Sequence, residues 1–140
     1  MTYPVEAIPP DHRLYLRVHQ KTVENGEPLP MNFEIPNDGK STDWAKYRNE
    51  HQCRAGHPEN PPEQYGVMVG VSGEVAKIET LGVQHSPIYP ENQAHTDVLC
   101  GLWNAGLKKK DMRVAQNELR VKVARCFTWI VAATDPVVPT

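Results

Sequence analysis

Nine of the chain's 13 prolines stand before Glu63, and this crowding constrains the fold more than any other feature. Each proline lacks a backbone donor and biases the residue before it away from the helical region, so the first half can hold only short elements between turns. Met1 to Asp11, with Pro4, Pro9 and Pro10, reads as an extended lead-in. Leu14-Tyr-Leu-Arg-Val18 is long enough for one strand, with Leu14, Leu16 and Val18 on one face and Tyr15 and Arg17 on the other; Arg17 then faces solvent or a cleft. Asn25-Gly26 is a strong turn signal, although Pro28 and Pro30 argue against a tight regular hairpin. Met31 to Ile35 alternates like an edge strand, and Pro36-Asn-Asp-Gly39 is a second turn. Ser41 or Thr42 can cap a short helix over Asp43 to His51, placing Trp44, Tyr47 and His51 on one side. Arg54 to Glu63 reads as loop.

The second half is more regular. Gly66 to Val71 is β-branched enough for a buried strand, Ser72-Gly73 is a turn, and Glu74 to Thr80 alternates as its hairpin partner. Val83 to Ser86 extends that strand and delivers His85 to its end. His95 to Trp103 fits a strand better than a helix because Gly101 disfavours a helix interior. Asp111 can cap a helix to Val131, in which Met112, Ala115, Leu119, Val123, Cys126, Phe127 and Ile130 recur at three- and four-residue spacing. Thr134-Asp-Pro136 ends it, leaving residues 134–140 as a loose tail. The fold class is therefore α+β: a mainly antiparallel sheet, a long C-terminal helix packed on one face, and an irregular proline-rich N-terminal half. At 140 residues, residues 1–140 form one domain by size.

Net charge of −2 and a pI near 6.3 leave no electrostatic footprint for DNA or an anionic membrane. Lys108-Lys109-Lys110 is a solvated turn. No apolar run approaches the roughly 18 residues of a membrane span, and no internal repeat is present. The odd count of cysteines, Cys53, Cys100 and Cys126, and a start lacking the signal-peptide pattern point to the reducing cytoplasm.

The polar cluster that looks placed runs from Gly82 to Asp97. His85 and His95 flank a loop stiffened by Pro87 and Pro90 and carrying Asn92. Histidine moves protons either way near neutrality, so a pair facing one cleft can serve as general acid and base, with Asn92 orienting a ring or binding substrate. The same pair can supply two metal ligands with Asp97 as a third. The plain structural alternative has His85 at a strand end, Asn92 in an Asx turn and His95 donating to a carbonyl. His51, Cys53 and His57 are three further ligand types in seven residues, but without a second pair at zinc spacing they fit an exposed loop better. Cys100 and Cys126 read as small buried hydrophobes. Gly39-Lys-Ser-Thr lacks the first glycine of a phosphate-binding loop, and Gly66, Gly70 and Gly73 lack dinucleotide spacing. No metal site and no cofactor are assigned.

Leu14-Tyr-Leu-Arg-Val-His19, Gly39-Lys-Ser-Thr-Asp-Trp44 and His85-Ser-Pro-Ile-Tyr-Pro-Glu-Asn92-Gln-Ala-His95 together resemble a family of small stand-alone bacterial proteins without an established activity. The resemblance spans the chain from Leu14 to the last helix and implies that Arg17, the Ser41 region and the His85/His95 loop share one surface. Such a surface is loosely similar to ADP-ribosyl-transfer folds, where an arginine holds phosphates and a histidine a ribose, although their catalytic glutamate motif is missing here. Two expectations follow. One is a small soluble binding or regulatory module acting with a protein partner. The other is a small enzyme acting on a nucleotide or phosphoester through His85 and His95, with Arg17, Ser41 and Asn92 holding substrate.

Overall fold

The computed structural model describes residues 1–56 and 59–140. Strand β1 (Arg13–His19) is followed by a two-residue hairpin, β2 (Val23–Glu24) and β3 (Glu27–Pro28). Then come β4 (Lys40–Trp44), α1 (Glu50–Ala55), β5 (Tyr65–Val71) and α2 (Ser72–Ala76). The chain ends with β6 (Leu81–His85), β7 (His95–Cys100), α3 (Lys109–Ala124) and β8 (Phe127–Val131). Six strands form one sheet in the order β6-β7-β4-β1-β5-β8, every neighbouring pair antiparallel. The class is α+β, with an antiparallel sheet and the helix from Lys109 against it.

Residues directly opposite in an antiparallel ladder point to the same face, so the register sorts the side chains. Leu14, Leu16 and Val18 share a face with Met68, Trp44, Val98 and Cys100 through the pairs Leu14↔Trp44, Leu16↔Met68 and Lys40↔Val98. This face is the main core, closed by Leu119 and Val123 of α3, Phe33, Ile35 and Val75. The other face holds Tyr15, Arg17, Ser41, Asp43, His95 and Asp97, linked by Tyr15↔Asp43, Asp43↔His95 and Ser41↔Asp97. A smaller cluster of Tyr15, Cys53, Val67 and Val131 packs α1 over the β1-β5-β8 half of that face. The β1-β4-β7 half is left polar.

Several expectations are corrected. The helix predicted to Val131 stops at Ala124, and Phe127-Thr-Trp-Ile-Val131 pairs with β5 instead. Its aromatic and β-branched residues suit a strand, and β5 would otherwise present an open edge. Asp111 lies in the first turn, where its charge meets the helix dipole, but the capping position is Lys108. Ser41 and Thr42 cap nothing, because they lie in β4. The helix begins later, at a capping box in which Asn49 Oδ1 accepts from Gln52 N–H at 2.8 Å and Gln52 Oε1 accepts from Asn49 N–H at 2.9 Å. Arg54 is therefore helical rather than looped. Met31 falls in a 3-10 turn opened by Pro30, which withholds the donor an edge strand needs. Glu74 to Thr80 is not the partner of β5, since Ser72–Ala76 is helical and β5 pairs with β1 and β8. Asn25 and Gly26 do make a tight turn, with φ of 53° and 78°, and Pro28 sits harmlessly at the hairpin's end. Among the described residues no helix is long and apolar enough to cross a membrane.

Candidate functional site

A cavity of about 700 Å³ opens over the polar half-face. Its floor is Tyr15 and Arg17 of β1 with Ser41 and Asp43 of β4, and its rim is Arg48, Cys53 and Gly56 on one side and Ile88, Glu91, Asn92 and His95 on the other. Arg17 and Arg48 border the cavity with two carboxylates, Asp43 and Glu91, while Lys40 touches its edge but is turned by its pairing with Val98 to the core face. The cations are not equally available. Arg48 Nη1 donates to Asp43 Oδ2 at 3.0 Å, and its Nη2 reaches the Glu91 carbonyl at 3.4 Å. Burial holds the Lys40 ammonium below its ordinary range, partly offset by Glu34. Arg17 lies with Cζ 4.4 Å from the centre of the Tyr65 ring, and its buried Nη1 has no hydrogen-bond partner among the described residues.

Asp43 is buried and accepts from Asn92 Nδ2 at 2.8 Å as well as from Arg48. Asn92 Oδ1 accepts from Ala94 N–H at 3.0 Å, so its amide is committed to a turn and to Asp43. It positions the rim rather than offering a free group to substrate. Cys53 is buried beneath the same carboxylate; burial first, then Asp43, push its thiol well above the ordinary 9.0. That thiol is a poor nucleophile.

The two histidines do not share a cleft. His85 is opposite Thr96, the neighbour of His95, and consecutive strand residues point to opposite faces. His85 is 1% exposed; its Nδ1 accepts from Glu6 N–H at 3.0 Å and its Nε2 donates to the Gln93 carbonyl at 2.7 Å. It packs edge-on to Trp44 at 5.1 Å and stacks near Tyr47 at 6.1 Å. With both nitrogens engaged, it anchors the lead-in to the hairpin loop, and it leaves the candidate catalytic set.

His95 takes the opposite position. Its Nδ1 lies 2.8 Å from the Ser86 carbonyl and 3.1 Å from Ser86 Oγ, and its Nε2 lies 3.1 Å from Ser41 Oγ. Ser86 Oγ donates to Asp97 Oδ2 at 2.7 Å, and Asp97 Oδ1 is 3.8 Å from His95 Nε2. The structure thus brings Arg17, Ser41, Asn92 and His95 around one cavity and excludes His85.

A ligand set of His85, His95 and Asp97 fails for the same reason of opposite faces. Among the described residues no three His, Cys, Asp or Glu side chains are grouped to hold a metal ion; the second suggested set includes His57, which lies outside them. Asp43, Arg48, Gly56 and Ser86 were not singled out from the sequence as site residues. The Asn49-x-x-Gln52 capping box was the signal available: starting the helix at Glu50 frees Lys40–Trp44 to be a strand and turns Asp43 inward beside Ser41. Comparison with protein-family models, curated proteins and solved structures found no match.

Proposed function

We propose that the protein is a small enzyme that takes a phosphate-bearing substrate of the nucleotide or phosphoester class into this cavity, with Arg17 holding the phosphate and His95 moving the proton. The observation that carries this reading is the buried Arg17 Nη1, which has no partner among the described residues. A buried donor left unmade costs about 1–3 kcal/mol, more when charged, and an anionic oxygen reaching it recovers that cost. Arginine's fork matches phosphate geometry. ADP-ribosyl transfer is the less favoured variant, because the buried cavity carboxylate Asp43 is already bound by Arg48 and Asn92.

Calorimetric titration with inorganic phosphate, AMP and ADP-ribose tests this. At least one probe is expected to bind, and Arg17→Met is expected to weaken it about 10- to 100-fold, the worth of one charge-assisted hydrogen bond. Equal affinity in the variant sinks the anchor role, and no binding by any probe sinks the ligand class. The partner-binding module is then the second reading. What favours it is the edge where Tyr3 packs on Tyr89 at 5.0 Å, beside Ile88, with Ile88 and Tyr89 45% and 42% exposed.

A further inference from the structure

We propose that Ser41 is the nucleophile of this site and His95 its base, so that the reaction proceeds through a covalent phosphoseryl intermediate. This deepens the phosphate reading and rests on it for the substrate class. The hydrogen bonds fix the tautomer. The Ser86 carbonyl, 2.8 Å from His95 Nδ1, can only accept, so Nδ1 carries the proton. Ser86 Oγ uses its own hydrogen to donate to Asp97 Oδ2 and accepts from the same Nδ1–H at 3.1 Å. In the neutral ring the lone pair is then on Nε2, and Ser41 Oγ donates to it at 3.1 Å. This is the relation an activated serine requires: hydroxyl to imidazole, with the far ring nitrogen held by a third group.

Ser41 is exposed on the cavity floor, where water would satisfy its hydroxyl, so folding does not demand the contact. When the ring takes up a proton, Asp97 Oδ1, 3.8 Å from Nε2, faces the new charge. In the first step Ser41 Oγ bonds to phosphorus as the bond to the leaving oxygen breaks. The serine proton passes to His95 Nε2 and then to that oxygen. In the second step a water, deprotonated by Nε2, attacks phosphorus; the bond to Ser41 Oγ breaks, the serine recovers its proton and phosphate departs. The sum is hydrolysis, with water the sole co-reactant.

The test is labelling of the full chain with a fluorophosphonate, read by intact mass and peptide mapping. One adduct on Ser41 is expected, absent in Ser41→Ala and formed at least about tenfold more slowly in His95→Gln, the low end for general-base assistance. Label spread over other surface hydroxyls, or an unchanged rate in His95→Gln, overturns the proposal. If His95→Gln melts below the parent, Ser41→Cys supplies the second readout. Its alkylation by iodoacetamide at neutral pH is expected to exceed that of the same peptide unfolded by about tenfold, because the neighbouring base raises the thiolate fraction; equal rates overturn the proposal. Ser41 labelling that inorganic phosphate fails to slow leaves the nucleophile standing and sinks the phosphate class. Phosphate binding without any Ser41 adduct sinks the nucleophile.

Discussion

Gly56 decides where Arg17 can lie. It ends α1 with φ 54° and ψ −122°, a combination that side-chain-bearing residues avoid, and a Cβ there would stand 1.7 Å from Arg17 Nη1. Gly56→Ala is therefore expected to lose about 1–3 kcal/mol of stability through backbone strain. It is also expected to weaken phosphate binding about as much as Arg17→Met does, because the guanidinium must move. Urea unfolding and calorimetry on the same variant check both effects, and undiminished binding would mean that Arg17 reaches its ligand from elsewhere. Single residues were the scale at which the sequence was least legible. His85 and His95 bracket one loop and look equivalent, yet the pair His85↔Thr96 puts them on opposite faces. A one-residue difference in register exchanges the faces, and nothing in the composition of residues 86–94 states that register.

At the scale of elements, strands were legible where both neighbours demanded a buried run, as in Leu14 to Val18 and Gly66 to Val71. Elements set by tertiary pairing were not. Cys126, Phe127 and Ile130 continue the helical spacing of Leu119 and Val123, but the open edge of β5 captures Phe127–Val131 as a strand. The lead-in is the reverse case: it has no regular structure, yet it is docked as an element. Glu6 receives hydrogen bonds from Lys46 and Tyr47, and its backbone N–H donates to His85. The hydrogen bonds from Lys46 and then Tyr47 hold the Glu6 carboxyl below its ordinary 4.5. A carboxylate with a depressed folded value stabilises above its unfolded value and loses that effect as pH falls through the folded one. Wild type is accordingly expected to melt above Glu6→Gln at pH 7, and the two curves are expected to converge in acid, below the ordinary value. The carboxylate is half-buried and still reached by solvent, which screens the pairing, so the gap is small. A constant gap across the whole range would show that Glu6 contributes through shape rather than charge.

Across the whole molecule, Arg54 is what joins the cavity wall to the start of β5 and to the distant C-terminal segment. It is 2% exposed. Its Nε donates to the carbonyls of Pro62 and Tyr65 at 3.0 and 2.8 Å, Nη1 to Pro136 at 3.1 Å, and Nη2 to Ala133 and Asp135 at 3.0 and 2.8 Å. The residues after β8 have no helix or strand, and from sequence they read as a loose tail from residue 134. Their first carbonyls are nevertheless ligands for a buried cation, whose partners no local pattern could name because they lie up to 82 residues away. Removing the guanidinium leaves those carbonyls unpaired, and Arg54→Ala is expected to lose at least about 3 kcal/mol in urea unfolding. Arg54→Lys should recover only part of this, because one ammonium cannot span a fork-shaped set of acceptors. Deleting residues 133–140 removes acceptors from the other side of the same contact. If the clamp is one cooperative unit, the double variant loses less than the two single losses together, with a coupling of about 1–3 kcal/mol. Strict additivity would mean that Arg54 and the C-terminal segment stabilise the sheet independently. The wall carrying Cys53 and Gly56 would then be held by the α1 packing on Tyr15, Val67 and Val131 alone.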